Sequence, residues 1–292
     1  MVVVLGVSAQ TTTIDDNTPW PITPKNQMAE QLMVLDAGAE EYNRDMDLQQ
    51  TSENIYAAIS DEPKSAEQIN AEMTAYYREV KEAWRRFVWL CNEDRGDEAL
   101  QLFMDHDIDF VVYLGHSSYY FYLHDAIISQ LVLEHMPMDD GVAYMTKLME
   151  FDYEMAVAMY QSTGYKSECL YDLYDRLYAL YNYSGEYNKL MTLITDAMPI
   201  LFDMRPEWLI EIITKSEQGD IILMTGDYAS AKGVYKDVQK LIKKNRRGVS
   251  EEYAELITLI SSDLEDKIER IDAITKATKR GDMEALEELI QW

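Results

Sequence analysis

The chain has 292 residues and carries 53 Asp and Glu against 26 Lys and Arg, a formal charge of -27 at pH 7. Two acids for every base argue against a nucleic-acid surface and an electrostatically held anionic membrane, both of which rest on clustered cations. At 47% hydrophobic the chain can bury a large core, and 12 Gly and 7 Pro favour long helices over many short strands.

The chain opens MVVVLGVSAQ, where Val2, Val3, Val4 and Leu5 form an apolar run and small residues precede a polar change. Residues 1–10 read as the back half of a secretory signal peptide that lacks its basic segment, and they predict an exported protein, periplasmic or extracellular. No cysteine follows the run, so no lipid anchor is expected. No stretch of about 18 apolar residues occurs, so no membrane span is expected. Residues 11–27 place Pro19, Pro21 and Pro24 around Trp20 and predict an extended linker, because alternating prolines block helix. A helical domain is expected over 28–292, less regular over 28–164 and more regular over 165–292.

Helical periodicity dominates the chain beyond the prolines. Met73, Tyr77, Val80, Trp84, Phe87, Val88 and Cys91 recur at three- and four-residue steps, one apolar stripe on a helix that starts near Ser65. Gly96 and Asp97 predict a break, and another helix begins at Glu98. Residues 107–136 are the most apolar part of the chain, with Tyr113, Tyr119, Tyr120, Phe121 and Tyr122 clustered. Pro137 and Gly141 predict a second break, before a helix over about 142–162.

The motifs that carry chemistry are sparse. Asp105, Asp107 and Asp109 look like the opening of a calcium loop, but Phe110 and His116 stand where an EF-hand needs glycine and glutamate, so an acidic helix start is the better reading. His116, His124 and His135 are spaced at neither HxH nor HxxxH, which favours structural roles over a zinc site. Cys91 and Cys169 each lie in an apolar helical pattern and read as buried free thiols, although an oxidising compartment would allow a pair. No phosphate loop, dinucleotide fingerprint, nucleophile elbow or zinc-protease helix is present, so neither a cofactor nor an enzymatic activity is expected. The one basic cluster, Lys236, Lys240, Lys243, Lys244, Arg246 and Arg247, ends a predicted helix before Gly248, where cations suit the dipole; docking on an acidic second copy is the alternative use.

Four breaks share one chemistry: Gly96 with Asp97, Gly185 with Glu186, Gly226 with Asp227, and Gly281 with Asp282. Glycine supplies the left-handed residue that ends a helix, and an acid opens the next. In the unit around Gly226, Gly219 takes a close-packing position, and Ala231, Tyr235 and Val238 take small, aromatic and small positions of the second helix. In the unit around Gly185, Tyr174, Leu177 and Tyr181 take aromatic, aliphatic and aromatic core positions of the first helix and Ala197 the last small position of the second, while Tyr178 stands where a glycine is usual. Over roughly residues 171–243 this resembles a degenerate tetratricopeptide repeat. The resemblance implies an all-α, right-handed solenoid of helical hairpins, a non-enzymatic scaffold that holds a protein or peptide segment on its concave face. It further implies that Asp172, Asp175, Asn182, Tyr183, Ser216, Glu217 and Asp220 line that face, with Arg176 the main base nearby. An acidic groove of this kind selects a basic or mixed-charge partner. Tyr171, Tyr174, Tyr178 and Tyr181 form a helical stripe that reads as packing. The alternative is a carbohydrate-binding accessory protein that stacks sugars on exposed, coplanar rings, and less favoured still is a helical glycan-active enzyme.

Overall fold

The structure is a computed structural model, and it describes residues 20–45, 66–245 and 249–290. The signal-like segment 1–10, the start of the Pro-rich stretch, Ser65, Arg246 and Arg247 lie outside the described residues. Among the described residues every regular element is helical, so the protein is all-α. No helix there is long and apolar enough to cross a membrane. The chain forms two compact units, one up to Cys169 and one from Leu170.

The N-terminal unit contains α1 (Gln27–Asp45), α2 (Ala66–Asn92), α3 (Gly96–Leu114), α4 (Ser117–Tyr122), a π-helical turn (Leu123–Ile128), α5 (Ser129–His135) and α6 (Met138–Thr163). The apolar stripe of α2 is the face it buries: Val80, Trp84, Phe87, Val88 and Cys91 are all out of solvent. Against it α3 sets Phe103, Phe110 and Tyr113, with the Trp84 and Phe110 rings edge to face at 5.4 Å. Removing each such side chain from water contributes about 1.5–3 kcal/mol, which makes this aromatic layer the anchor of the unit. The Tyr113 hydroxyl donates to buried Asp36 of α1 at 2.7 Å, and the Trp20 indole N–H donates to the same carboxylate at 3.2 Å. The amide N–H of Lys25 donates to Asn92 and the Asn26 carboxamide to the Cys91 carbonyl, so residues 20–26 are tied to the end of α2.

Two expected breaks form by other means. At the α2–α3 turn the left-handed residue is Asp94 (φ 53°), whereas Gly96 is buried under His135: a Cβ on Gly96 would lie 2.0 Å from its Nε2. Gly141 does not break a helix either. It sits inside α6, which begins directly after Pro137, and a Cβ there would meet Val132 Cγ1 at 2.8 Å. Both are glycines of close approach and not of conformation. Within α3 the backbone kinks at His106 (φ -134°), so the helix restarts on the acidic stretch that includes Asp107 and Asp109.

The C-terminal unit contains α7 (Leu170–Ser184), α8 (Tyr187–Leu201), α9 (Glu207–Met224), α10 (Tyr228–Asn245), α11 (Glu251–Arg280) and α12 (Met283–Ile290). Each helix packs on the next, and α9 with α10 is the most extensive pairing. Gly185, Gly226 and Gly281 are left-handed as expected, with φ of 71°, 82° and 68°. After Gly185 and Gly281 the next N–H reaches back over the helix end, Glu186 to the Tyr181 carbonyl at 2.8 Å and Asp282 to that of Ala277 at 3.1 Å. Asp227 and Asp282 then cap the following helices by accepting from the N–H groups of Ser230 and Ala285. Leu209, Ile212, Ala231, Tyr235, Val238 and Leu264 build one core across α9, α10 and α11. Gly219 lets α9 close on α10, since a Cβ at this position would lie 2.5 Å from Cε1 of Tyr235.

Candidate functional site

Two of the acids expected on one face, Asp175 of α7 and Asp220 of α9, act electrostatically on a third, Glu217 of α9, and Asp263 of α11 joins them. Burial first, then the charge of Asp220, holds the Glu217 carboxyl above its ordinary range; Lys267 pulls the other way. Glu217 makes no hydrogen bond or ion pair among the described residues, whereas its neighbour Asp220 is fully engaged. Asp220 accepts from the Tyr235 hydroxyl at 2.6 Å and from Lys267 Nζ at 2.8 Å on both oxygens. Lys267 also pairs with Asp263 at 2.7 Å, one turn away on α11, and its ammonium lies 5.8 Å from the centre of the Tyr235 ring. A lysine is thus seated on two carboxylates and one tyrosine face, and charge-assisted bonds hold its own proton more firmly despite the opposing effect of burial.

Tyrosines of α7 lie within reach of the charge of Glu217. Burial first, then the negative charge of Glu217, pushes the Tyr178 hydroxyl up to about 12, and the same two causes raise Tyr174. Of the stripe, Tyr174 and Tyr181 are buried as packing requires, Tyr178 is half-buried, and Tyr171 is 55% exposed. The Tyr171 and Tyr174 rings are tilted by 48°, not coplanar.

The remaining expected groove residues do not join this cluster. Asp172, Asn182 and Tyr183 are exposed on α7, and none is among the charges acting on Glu217, Tyr174 or Tyr178. Ser216 is half-buried, and its hydroxyl oxygen is out of solvent without a hydrogen-bond partner among the described residues. Lys267 is a base that serves the cluster. Its signal in the sequence is the Asp263/Lys267 pair at i and i+4, which on a helix places the two side chains together; only the packing of α11 beside α9 shows that Asp220 shares them.

The N-terminal unit holds a second constellation that spacing could not reveal. Nδ1 of His124, on the π-helical turn, lies 2.7 Å from Asp152 of α6, and both side chains are at most 1% exposed. Burial raises the Asp152 carboxyl and the bond to His124 opposes that rise. Nε2 of His124 and Oδ1 of Asp152 have no partners among the described residues. The other two clustered histidines do different work: His116 caps α4 by accepting from the Ser118 N–H, and His135 pairs with Asp97 at 2.9 Å. Cys91 and Cys169 are buried thiols outside any disulfide, and burial pushes the Cys91 thiol up to about 12, so it is a neutral packing group. No family model, curated protein or solved structure matches the chain.

Proposed function

We propose that the chain is an exported, non-enzymatic scaffold of stacked helical hairpins, a degenerate tetratricopeptide-like right-handed solenoid, that holds a basic or mixed-charge segment of a partner protein. The observation that carries this reading is the pair of seats on α7, α9 and α11. In one, Lys267 occupies Asp220, Asp263 and the Tyr235 ring. In the other, Glu217 acts together with Asp175 beside Tyr174 and Tyr178, the same side-chain chemistry without a lysine of the chain's own. A partner's ammonium or guanidinium in the second seat relieves the repulsion among the acids and gains the faces of the tyrosines. A basic segment is therefore favoured and an acidic one repelled.

The test is fluorescence polarisation with basic, neutral and acidic peptides of equal length, over a range of salt. The basic peptide binds most tightly, its affinity falls as salt rises, and Glu217→Gln with Asp175→Asn weakens it and flattens the salt dependence. Equal binding of the three peptides, or preference for the acidic one, refutes the proposal. Export is tested separately by the N-terminus of the chain recovered from producing cells, which begins just after Ala9 or Gln10 if residues 1–10 are cleaved.

A further inference from the structure

The core pair of His124 and Asp152 is joined by one hydrogen bond, between Nδ1 and Oδ2 at 2.7 Å, and both side chains are sealed from solvent. The π-helical turn Leu123–Ile128 carries His124 inward, and turns of this rare kind recur at functional positions. Asp152 comes from α6, which packs on α4, α5 and that turn. Among the described residues no ionised group other than His124 acts on Asp152. From α3 the ring of Phe103 meets the imidazole at 5.6 Å, α5 buries Leu131 and Val132, and α4 contributes Tyr120. The Tyr120 hydroxyl feels Asp152 and Cys169, and burial raises it, so it keeps its proton. Cys169, also buried, shares a hydrogen bond with Ser167 at 3.0 Å.

Such a pair can hold no titratable proton, one or two. With none it leaves a net negative charge in the core, and with two a net positive one. With one it is neutral overall, whichever group holds it. A net charge sealed from water is costly, and Oδ1 of Asp152 and Nε2 of His124 have no partners among the described residues to offset it. We propose that His124 and Asp152 form a one-proton latch that holds α6 on the N-terminal unit and loosens as pH rises above about 6.5. Once α6 opens, water reaches both groups and they return to ordinary values, about 6.5 for the imidazole and about 3.9 for the carboxyl. Between those values the open pair also holds one proton, and pH has no leverage. Above about 6.5 the open pair holds none, so opening releases a proton and becomes about tenfold easier per pH unit. Below about 3.9 the open pair holds two, and acid favours opening in its turn.

Hydrogen exchange of the full chain, read at the α6 amides of Leu148 to Asp152 and corrected for the intrinsic rate, tests the latch. From pH 7 to 8 the opening constant rises about tenfold in the parent chain. In Asp152→Asn it stays within about twofold, because a neutral imidazole beside a carboxamide has no proton to release on opening. The parent also gives a reading that needs no substitution: the ring nitrogen resonances of His124 keep one charge state from pH 6 to 8, while the pair holds its single proton. An imidazole that changes charge within that range overturns the proposal. So does an opening constant that does not rise in the parent, or one that rises equally in Asp152→Asn, which would assign the dependence to groups elsewhere.

Discussion

Gly219 and Gly233 offer opposite outcomes from the same substitution. Both lie inside helices, Gly219 in α9 and Gly233 in α10. In a helix interior alanine is favoured over glycine by about 0.8–1 kcal/mol, because glycine loses more backbone freedom on folding. At Gly233 a Cβ meets nothing within 4 Å, so Gly233→Ala stabilises by about that amount. At Gly219 the Cβ would lie 2.5 Å from Cε1 and 2.8 Å from Cδ1 of Tyr235. That ring cannot swing away: it is 0% exposed, and its hydroxyl is held by Asp220 at 2.6 Å. Overpacking of this kind costs about 1–3 kcal/mol, and separating α9 from α10 also loosens the most extensive helix pair of the unit. Set against the propensity gain of about 1 kcal/mol, Gly219→Ala is expected to destabilise by up to about 2 kcal/mol. Urea denaturation followed by circular dichroism measures both. In a Tyr235→Leu background, where the clashing ring edge is gone, Gly219→Ala should lose its penalty. A stabilising Gly219→Ala in the parent chain would refute the close-packing reading and, with it, the main physical support for a repeat-like hairpin.

Tyr174→Ala and Tyr181→Ala should each cost about 3 kcal/mol or more, while Tyr171→Ala stays within about 0.5 kcal/mol; equal tolerance at all three sites would make the stripe a surface feature. Asp152→Ala should cost about 3 kcal/mol by stranding His124 in the core, and Asp152→Asn about 1 kcal/mol because its carbonyl still accepts from the imidazole; chemical denaturation showing no loss in either removes the pair from the stabilising core. Glu217 sets a pH dependence. Its folded carboxyl is held above the ordinary value of 4.5, so its contribution is present in full below that value and is lost as pH rises through the folded one. Glu217→Gln should therefore match the parent near pH 4 and be the more stable chain near pH 7; a variant that is less stable at pH 7 would show that the carboxylate makes a supporting contact.

Helix identity was legible wherever a stripe repeats at helical spacing, as in α2, where the recurring Trp84, Phe87 and Cys91 are the buried face. The left-handed glycines at 185, 226 and 281 were legible for a related reason: a glycine between two apolar stripes ends one helix, and at 227 and 282 the acid that follows it caps the next. Gly96 and Gly141 looked the same and are not, because a glycine needed for space and one needed for φ share one letter, and only the distant neighbour tells them apart. His135 and Val132 are those neighbours. Partners remote in sequence were hidden for the same reason. His124 and Asp152 meet only because the π-helical turn and α6 pack together, and Lys267 reaches Asp220 only across the contact of α9 with α11. Of the acidic face, the composition was visible and the charge pairing was not.

That pairing separates a cheap acid from an informative one. With 53 acids and 26 bases most carboxylates must go without a partner, and on an exposed helix face this costs little, because water and salt screen the charge. Bases lie where acids crowd: Lys232 beside Asp272, Lys81 beside Glu40, Lys267 between Asp220 and Asp263. Glu217 departs from this pattern. It is half-buried, surrounded by Asp175, Asp220 and Asp263, without a hydrogen bond, and near a lysine already committed to its neighbours. Packing does not explain a carboxylate there, since glutamine has nearly the same shape and removes the repulsion. Under the proposed function, the positive charge of a bound partner segment offsets the repulsion among these acids that folding alone leaves in place.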